Sequence, residues 1–253
     1  MSDLCLENIK FSYNKNLVLN DVNLNVEQNR VNVILGLNGS GKTTLLKLIC
    51  DFIKPQNGVI YIDSKDINEY TKNQLSKKLS YVSQLNKTNN DFLVLDFLLF
   101  GLVNRLKFYN SPSIDDIENV KKIACELGIS YLLDKHMNCI SGGEKQMVHI
   151  CSAIIQNTEM ILLDEPLSAL DIKNQNIIIK FLKKISECKT IIMTTHNPNV
   201  CLYLDANVIL LKDGRIIASG NANEIIKPEI LKDIYGENLV YVRDTCYDEV
   251  TFK

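Results

Sequence analysis

The stretch Gly36-Leu37-Asn38-Gly39-Ser40-Gly41-Lys42-Thr43 constrains this chain most. It fits G-x-x-x-x-G-K-[ST] between an apolar strand, Val31 to Leu35, and a helical run from Leu45 to Ile53. Glycines at these places let the backbone wrap closely enough for successive N–H groups to face one anion, and the helix that follows adds the positive end of its dipole. Such a loop cradles phosphates. Lys42 is spaced to reach the β- and γ-phosphates of a nucleoside triphosphate. The Thr43 hydroxyl is spaced to reach the accompanying Mg²⁺, a hard ion that takes few protein oxygens.

The remaining composition narrows the setting. A chain of 253 residues that is 46% hydrophobic can bury a full core, as one large domain or one domain with an insertion. A net charge of −2 supplies no global basic field, so nucleic acid is not the expected partner. The longest apolar candidate for a membrane span, Phe92 to Phe100, is short and broken by Asp96, and Met1-Ser2-Asp3-Leu4 does not open a signal peptide. The eight cysteines are scattered, lie mostly in apolar segments and form no C-x-x-C pair, which predicts reduced core residues and a cytosolic compartment. His136, His149 and His196 are the only imidazoles, and none pairs with a cysteine at zinc-ligand spacing.

Taken in order, Leu4 to Phe11 and Val18 to Val26 read as an antiparallel strand pair, with Val22, Leu24 and Val26 alternating against Asn23 and Asn25. Val31 to Leu35 is denser in apolar residues, as a strand covered on both faces requires. Gly58 to Asp63 and Leu79 to Ser83 are further strands, with a short helical piece from Leu75 to Lys78, and Gln84 follows a strand end, where ligands of α/β sheets collect. From Asn86 to about Gln156 the pattern turns helical, with polar breaks at Lys87 to Asp91 and Asn110 to Ser113. Ser113-x-x-Asp116 has the form of a capping box, and Gly128 sits where a helix C-terminus favours left-handed backbone. Ser141-Gly142-Gly143 lies at the start of another helix. Ile161 to Leu163 is a buried strand ending in Asp164 and Glu165, a costly placement unless a cation or polar chemistry meets those carboxylates. Thr190 to Thr195 is one more apolar strand, ending at His196; a hairpin turns at Asp213-Gly214, Asn223 to Tyr235 reads as helical through Pro228, and Val240 and Val242 suit an edge strand.

These residues together resemble the ATP-binding-cassette ATPases, matching in order from Tyr13 to about Tyr235. The resemblance implies an α/β P-loop NTPase of RecA-like core, with an antiparallel β-subdomain and an inserted helical subdomain. It divides the chain into core and β-subdomain at 1–85 and 157–236, helical subdomain at 86–156 and a C-terminal extension at 237–253. It implies adenine stacking by Tyr13 and binding of ATP phosphates by Gly36, Asn38, Gly39, Ser40, Gly41, Lys42, Thr43 and Thr44. It further implies a Q-loop glutamine at Gln84, a signature motif at Ile140-Ser141-Gly142-Gly143-Glu144, a Walker B strand ending at Asp164, a catalytic Glu165, a D-loop at Ser168 to Asp171 and a switch histidine at His196. Thr43, Gln84 and Asp164 are the residues expected around Mg²⁺. Leu37, Glu144, Met147 and Leu167 depart from the commoner proline, glutamine, arginine and threonine, and none of these removes a catalytic group.

Chemistry agrees with this assignment, because hydrolysis at a γ-phosphate needs electrostatic cover and a positioned water rather than covalent catalysis. The resemblance implies that Ser141 to Glu144 close over ATP held by a second copy of the chain, or by a homologous ATPase, in a head-to-tail dimer. Phrases such as Ser168-Ala169-Leu170-Asp171-Ile172 and Thr195-His196-Asn197-Pro198 are similar to importer ATPases for iron–siderophore, haem and cobalamin complexes. That group works on separate transmembrane permease subunits, indirectly with a substrate-binding protein, at the inner face of the cell membrane. An exporter ATPase would share the same engine. A soluble cassette acting on DNA or ribosomes would need a long coiled coil or a second cassette, and neither is in this sequence.

Overall fold

The computed structural model describes residues 4–84, 91–104, 111–236, 239–243 and 248–252, the last two ranges as backbone alone. Lys87 to Asn90, Asn110, Glu237 and Cys246, which the sequence reading touches, lie outside the described residues. The chain forms two units, one from Met1–Tyr70 with Ser186–Lys253, the other Thr71–Ile185.

The first unit opens with β1 (Leu4–Tyr13) and β2 (Asn16–Asn25), an antiparallel pair in which Leu6 faces Leu24 and Ile9 faces Val22. The alternation read from the sequence is the observed burial: Val22, Leu24 and Val26 are inside, Asn23 and Asn25 outside. Next come β3 (Val31–Leu35) and α1 (Lys42–Ile49), whose Leu45, Leu46, Leu48 and Ile49 are buried. Each such side chain contributes about 1.5–3 kcal/mol of burial free energy, an upper figure for an extended reference chain. The strands β4 (Asn57–Ile62) and β5 (Lys65–Asp66) complete a four-stranded sheet of order β2-β1-β4-β5.

The second unit contains α2 (Lys72–Lys78), β6 (Leu79–Val82), α3 (Val94–Phe100), α4 (Ile114–Glu126), α5 (Gly142–Ile155), β7 (Met160–Leu163) and α6 (Ile172–Ile185). The capping box of α4 forms, with the Asp116 N–H donating to the Ser113 hydroxyl at 3.1 Å and the Ser113 N–H to the Asp116 carboxylate at 2.9 Å. Its buried face carries Val120 and Ala124, and Gly128 just beyond it takes φ 70°. The strands β6 and β7 run parallel, with Val82 opposite Leu163.

The chain then returns to the first unit with β8 (Thr190–Thr195), α7 (Pro198–Leu204), β9 (Asn207–Lys212), β10 (Arg215–Asn221), α8 (Ala222–Ile225), α9 (Pro228–Tyr235), β11 (Leu239–Arg243) and β12 (Asp248–Phe252). β3 lies between β8 and β9 and is parallel to both, and β10 folds back on β9 through Asp213 and Gly214, both at positive φ. Two details differ from the sequence reading. Helix does not run through Pro228: that residue begins α9, because it lacks the N–H an interior position needs and holds Lys227 extended at φ −127°, ψ 145°. The segment containing Val240 and Val242 pairs with β12 in its own two-stranded sheet, so it joins no existing edge.

The cysteines also divide. Cys50, Cys151 and Cys201 are core residues, whereas Cys125, Cys139 and Cys188 are exposed, and the described cysteines form no disulfide. Position on the solvent side of a helix, as for Cys125 on α4, outweighs the apolar company in sequence.

Candidate nucleotide-binding site

In the first unit, the loop from Gly36 to Gly41 joins the end of β3 to α1. Gly39 and Gly41 take φ 85° and 107°, values that a side chain resists. A Cβ on Gly36 would strike the Leu211 carbonyl and lie 2.7 Å from the Ser40 hydroxyl; on Gly41 it would lie 2.8 Å from a Leu19 methyl. The loop therefore hugs the protein on one side and keeps Leu37, Asn38 and Gly39 exposed on the other. Lys42 is 6% exposed, and its ammonium donates to the Gly36 carbonyl at 2.8 Å and the Leu37 carbonyl at 3.1 Å. The Ser40 hydroxyl is buried with no hydrogen-bond partner. A buried polar atom in that condition costs about 1–3 kcal/mol, which a phosphate oxygen would offset. A cradle of glycines, an ammonium on its rim and an unsatisfied hydroxyl fit an anionic phosphate chain. Thr43, half-buried in the first turn of α1, and Thr44, buried behind it, complete the motif.

His196 lies at the same end of the parallel strands. The Gly36 N–H donates to the Thr195 carbonyl at 3.3 Å, which sets the loop beside the end of β8, and His196 is the exposed next residue. Its backbone carbonyl accepts the Tyr235 hydroxyl at 2.8 Å, while Asn197 caps α7 through the Asn199 N–H at 3.0 Å. Tyr13, at the far end of β1, is 43% exposed and rests edge-on against Phe11 with ring centroids 4.8 Å apart. One ring edge is fixed while much of the surface stays open to solvent.

In the second unit, Gln84, Asp164 and Glu165 share the carboxyl end of the β6–β7 pair. Gln84 is exposed; Asp164 and Glu165 are 1% and 6% exposed. Glu165 sits at φ 48°, uncommon for a residue with a side chain, and its carbonyl accepts both the Ser168 hydroxyl at 2.9 Å and the Ser168 N–H at 3.2 Å. The turn that follows is pinned by the Gln175 amide, which donates to the Leu167 and Leu170 carbonyls at 3.1 and 3.0 Å. The Ser168 and Gln175 hydrogen bonds hold this left-handed residue and the turn after it in one conformation at the strand end.

Ser141, Gly142, Gly143 and Glu144 start α5 as a capping box: the Glu144 N–H donates to the Ser141 hydroxyl at 3.3 Å, and the Ser141 N–H to the Glu144 carboxylate at 2.8 Å. A Cβ on Gly143 would lie 3.0 Å from the Ala169 carbonyl, so glycine is what lets α5 start against the turn after Glu165. Glu144 also accepts the Tyr131 hydroxyl at 3.0 Å. Those hydrogen bonds, with Ser141 contributing most, hold its carboxyl below the usual range. Tyr131 is absent from the sequence reading. It lies thirteen residues before Glu144, in a short turn of 3₁₀ helix with no periodicity to flag it. His136 pairs with Asp91 at 2.9 Å on the surface, and His149 stacks edge-on against Phe97.

Known proteins of one family resemble this chain along most of its length. The profile of the ABC transporter family matches residues 19–168, more than half of the chain. An uncharacterized ABC transporter ATP-binding protein of Methanocaldococcus jannaschii is 37% identical, the match covering 92% of this chain and 91% of that protein. The petrobactin import ATP-binding protein of Bacillus subtilis is 31% identical over 91% of each. Among solved structures, a chain of an inward-facing ABC transporter, provisionally assigned to the metal-chelate type, superposes with a TM-score of 0.81 at 26% identity, covering 99% of this chain and 96% of that one. A dimeric ATP-binding cassette in a post-hydrolysis state, bound to ADP and Pi, gives a TM-score of 0.77 at 28% identity, covering 87% and 98%. The chain belongs to the ABC transporter family and is an ATPase of that family. No helix among the described residues is long and apolar enough to cross a membrane.

Proposed function

We propose that this protein is the ATP-hydrolysing subunit of an importer that takes up a metal chelate, of the iron–siderophore, haem or cobalamin kind, through separate membrane subunits. The observation that carries the reading is the match over nine-tenths of the chain to an import ATP-binding protein for petrobactin, together with the metal-chelate type assigned to the neighbour of TM-score 0.81. The protein then sits peripherally at the inner face of the membrane, with permease subunits as direct partners and a substrate-binding protein as an indirect one.

In this reading Tyr13 stacks on adenine, and the loop N–H groups from Gly36 to Thr44, Ser40 and Lys42 hold the phosphates. Thr43, Gln84 and Asp164 would hold Mg²⁺, which would supply charge neutralisation for the phosphates; buried Asp164 is an oxygen donor suited to such an ion. Glu165 orients a water and accepts its proton as the water's oxygen bonds to the γ-phosphorus and the bond to the β–γ bridging oxygen breaks, releasing ADP and phosphate. His196 contacts the γ-phosphate and fixes that geometry. Ser141 to Glu144 face the ATP of a second copy in a head-to-tail dimer, where a helix N-terminus suits an anion. Binding closes the pair and hydrolysis lets it open.

Two measurements test this. Glu165→Gln should give an ATP-dependent dimer by sedimentation; a persistent monomer counts against the two-subunit site. Vesicles holding the protein with its membrane subunits should accumulate labelled ferric siderophore, haem or cobalamin only with ATP, and failure with all three rejects the cargo class.

A further inference from the structure

Glu144 brings a negative charge to the helix start that, in the proposed dimer, receives the phosphates of the partner copy's ATP. A free carboxylate there would compete with those phosphates for the N–H groups at the start of α5 and repel them. In this structure the carboxylate is tied on both sides. One oxygen takes the Ser141 N–H at 2.8 Å, and the other takes the Tyr131 hydroxyl at 3.0 Å. The Tyr131 ring, 61% exposed, is in turn covered by the Lys135 ammonium 5.1 Å from its centroid, which brings a positive charge to the same cluster. Asp171, from the turn after Glu165, adds a second negative charge in the field at Tyr131.

We infer that Tyr131 is a positioning residue: it holds the Glu144 carboxylate at the flank of α5 and so keeps the Ser141–Gly143 face open to ATP bound by a second copy of this chain. Without the phenol, the carboxylate oxygen away from Ser141 loses the Tyr131 donor and the group can rotate toward the exposed N-terminal turn. Tyr131→Phe keeps the ring and its Lys135 contact and deletes only the hydroxyl. This inference rests on the two-subunit reading above.

The test is a cycle of variants in the Glu165→Gln background, read as the ATP concentration for half-maximal dimerisation. Tyr131→Phe should raise that concentration about three- to tenfold, the range of one typical net hydrogen bond at an exposed site. Glu144→Gln, which removes the charge, should lower it or leave it unchanged. In Glu144→Gln, the further change Tyr131→Phe should then have no effect, because a neutral amide neither repels phosphate nor needs restraint. An equal shift from Tyr131→Phe in both backgrounds, or none in either, overturns the inference, since a role in general folding would act regardless of the charge at position 144. Thermal melting of each variant checks that folding is retained. If Glu165→Gln itself stays monomeric with ATP, the two-subunit reading fails first and the role of Tyr131 falls with it.

Discussion

The backbone N–H of Asp164 donates to the carbonyl of Val82 at 2.9 Å, extending the parallel pairing of β6 and β7 one residue past Leu163. That bond sets the level at which the chain leaves the strand pair. Asp164 is buried, Glu165 turns aside at φ 48°, and Gln84 follows two residues after Val82, where the neighbouring strand ends. Three polar residues more than eighty positions apart at the extremes thus share one edge of one unit.

Gly41 tests the phosphate cradle. With φ at 107° and a Leu19 methyl 2.8 Å from where a Cβ would stand, Gly41→Ala should destabilise the fold by about 1–3 kcal/mol in urea unfolding and abolish ATP binding by calorimetric titration. Gly142→Ala, at a position with negative φ and nothing within 4 Å, should leave stability unchanged within about 0.5 kcal/mol.

Asn32 is wholly buried in β3, where an apolar residue is expected. Its amide donates to the Glu27 carbonyl at 2.8 Å, and its oxygen accepts the Glu27 N–H at 3.0 Å and the Asn207 amide at 2.8 Å. Asn32→Ala should cost about 3 kcal/mol by chemical unfolding, because it strands the Asn207 amide and the Glu27 N–H. Restoration of stability by a second change, Asn207→Ala, should be partial, since the Glu27 N–H still lacks its acceptor.

Burial, with Lys145 adding to it, pushes the His149 imidazole down to about 4. The unfolded chain therefore binds a proton near pH 6.5 that the folded chain refuses, so stability falls as pH drops from about 6.5 toward 4 and the His149 contribution levels off below. His149→Gln should flatten that part of a plot of melting temperature against pH, and identical slopes in the two proteins would contradict the assignment.

Cysteine labelling should follow burial. In the native protein an iodoacetamide pulse at pH 8 should modify Cys125, Cys139 and Cys188 and spare Cys50, Cys151 and Cys201, as read by peptide mass spectrometry. Burial raises the Cys151 thiol to about 12 and the Cys201 thiol further, so few thiolates exist there even if reagent enters.

Local patterns carried much of what the sequence revealed. The P-loop glycines, the alternation in β2, the dense apolar runs of β3, β7 and β8, and the Ser113–Asp116 cap all depend on neighbours within a few residues, and the structure repeats them. The break at Pro228 is hidden in the sequence because the periodicity on either side of it is genuine, while the missing N–H acts only at that one position. The exposure of Cys125 and Cys139 is hidden for a related reason: apolar company in sequence does not say which way a side chain faces.

By itself the sequence determined the phosphate loop, the strand ends that carry Gln84, Asp164, Glu165 and His196, and the helix start at Ser141, because each is a residue type at a fixed step from a regular element. Only the tertiary structure decided that the Ser40 hydroxyl is buried without a partner, that Asn32 is satisfied by Asn207, and that Tyr131 reaches Glu144. Those depend on where distant backbone comes to rest. Hydrogen bonds act over about 3 Å, a distance that separation along the chain does not encode.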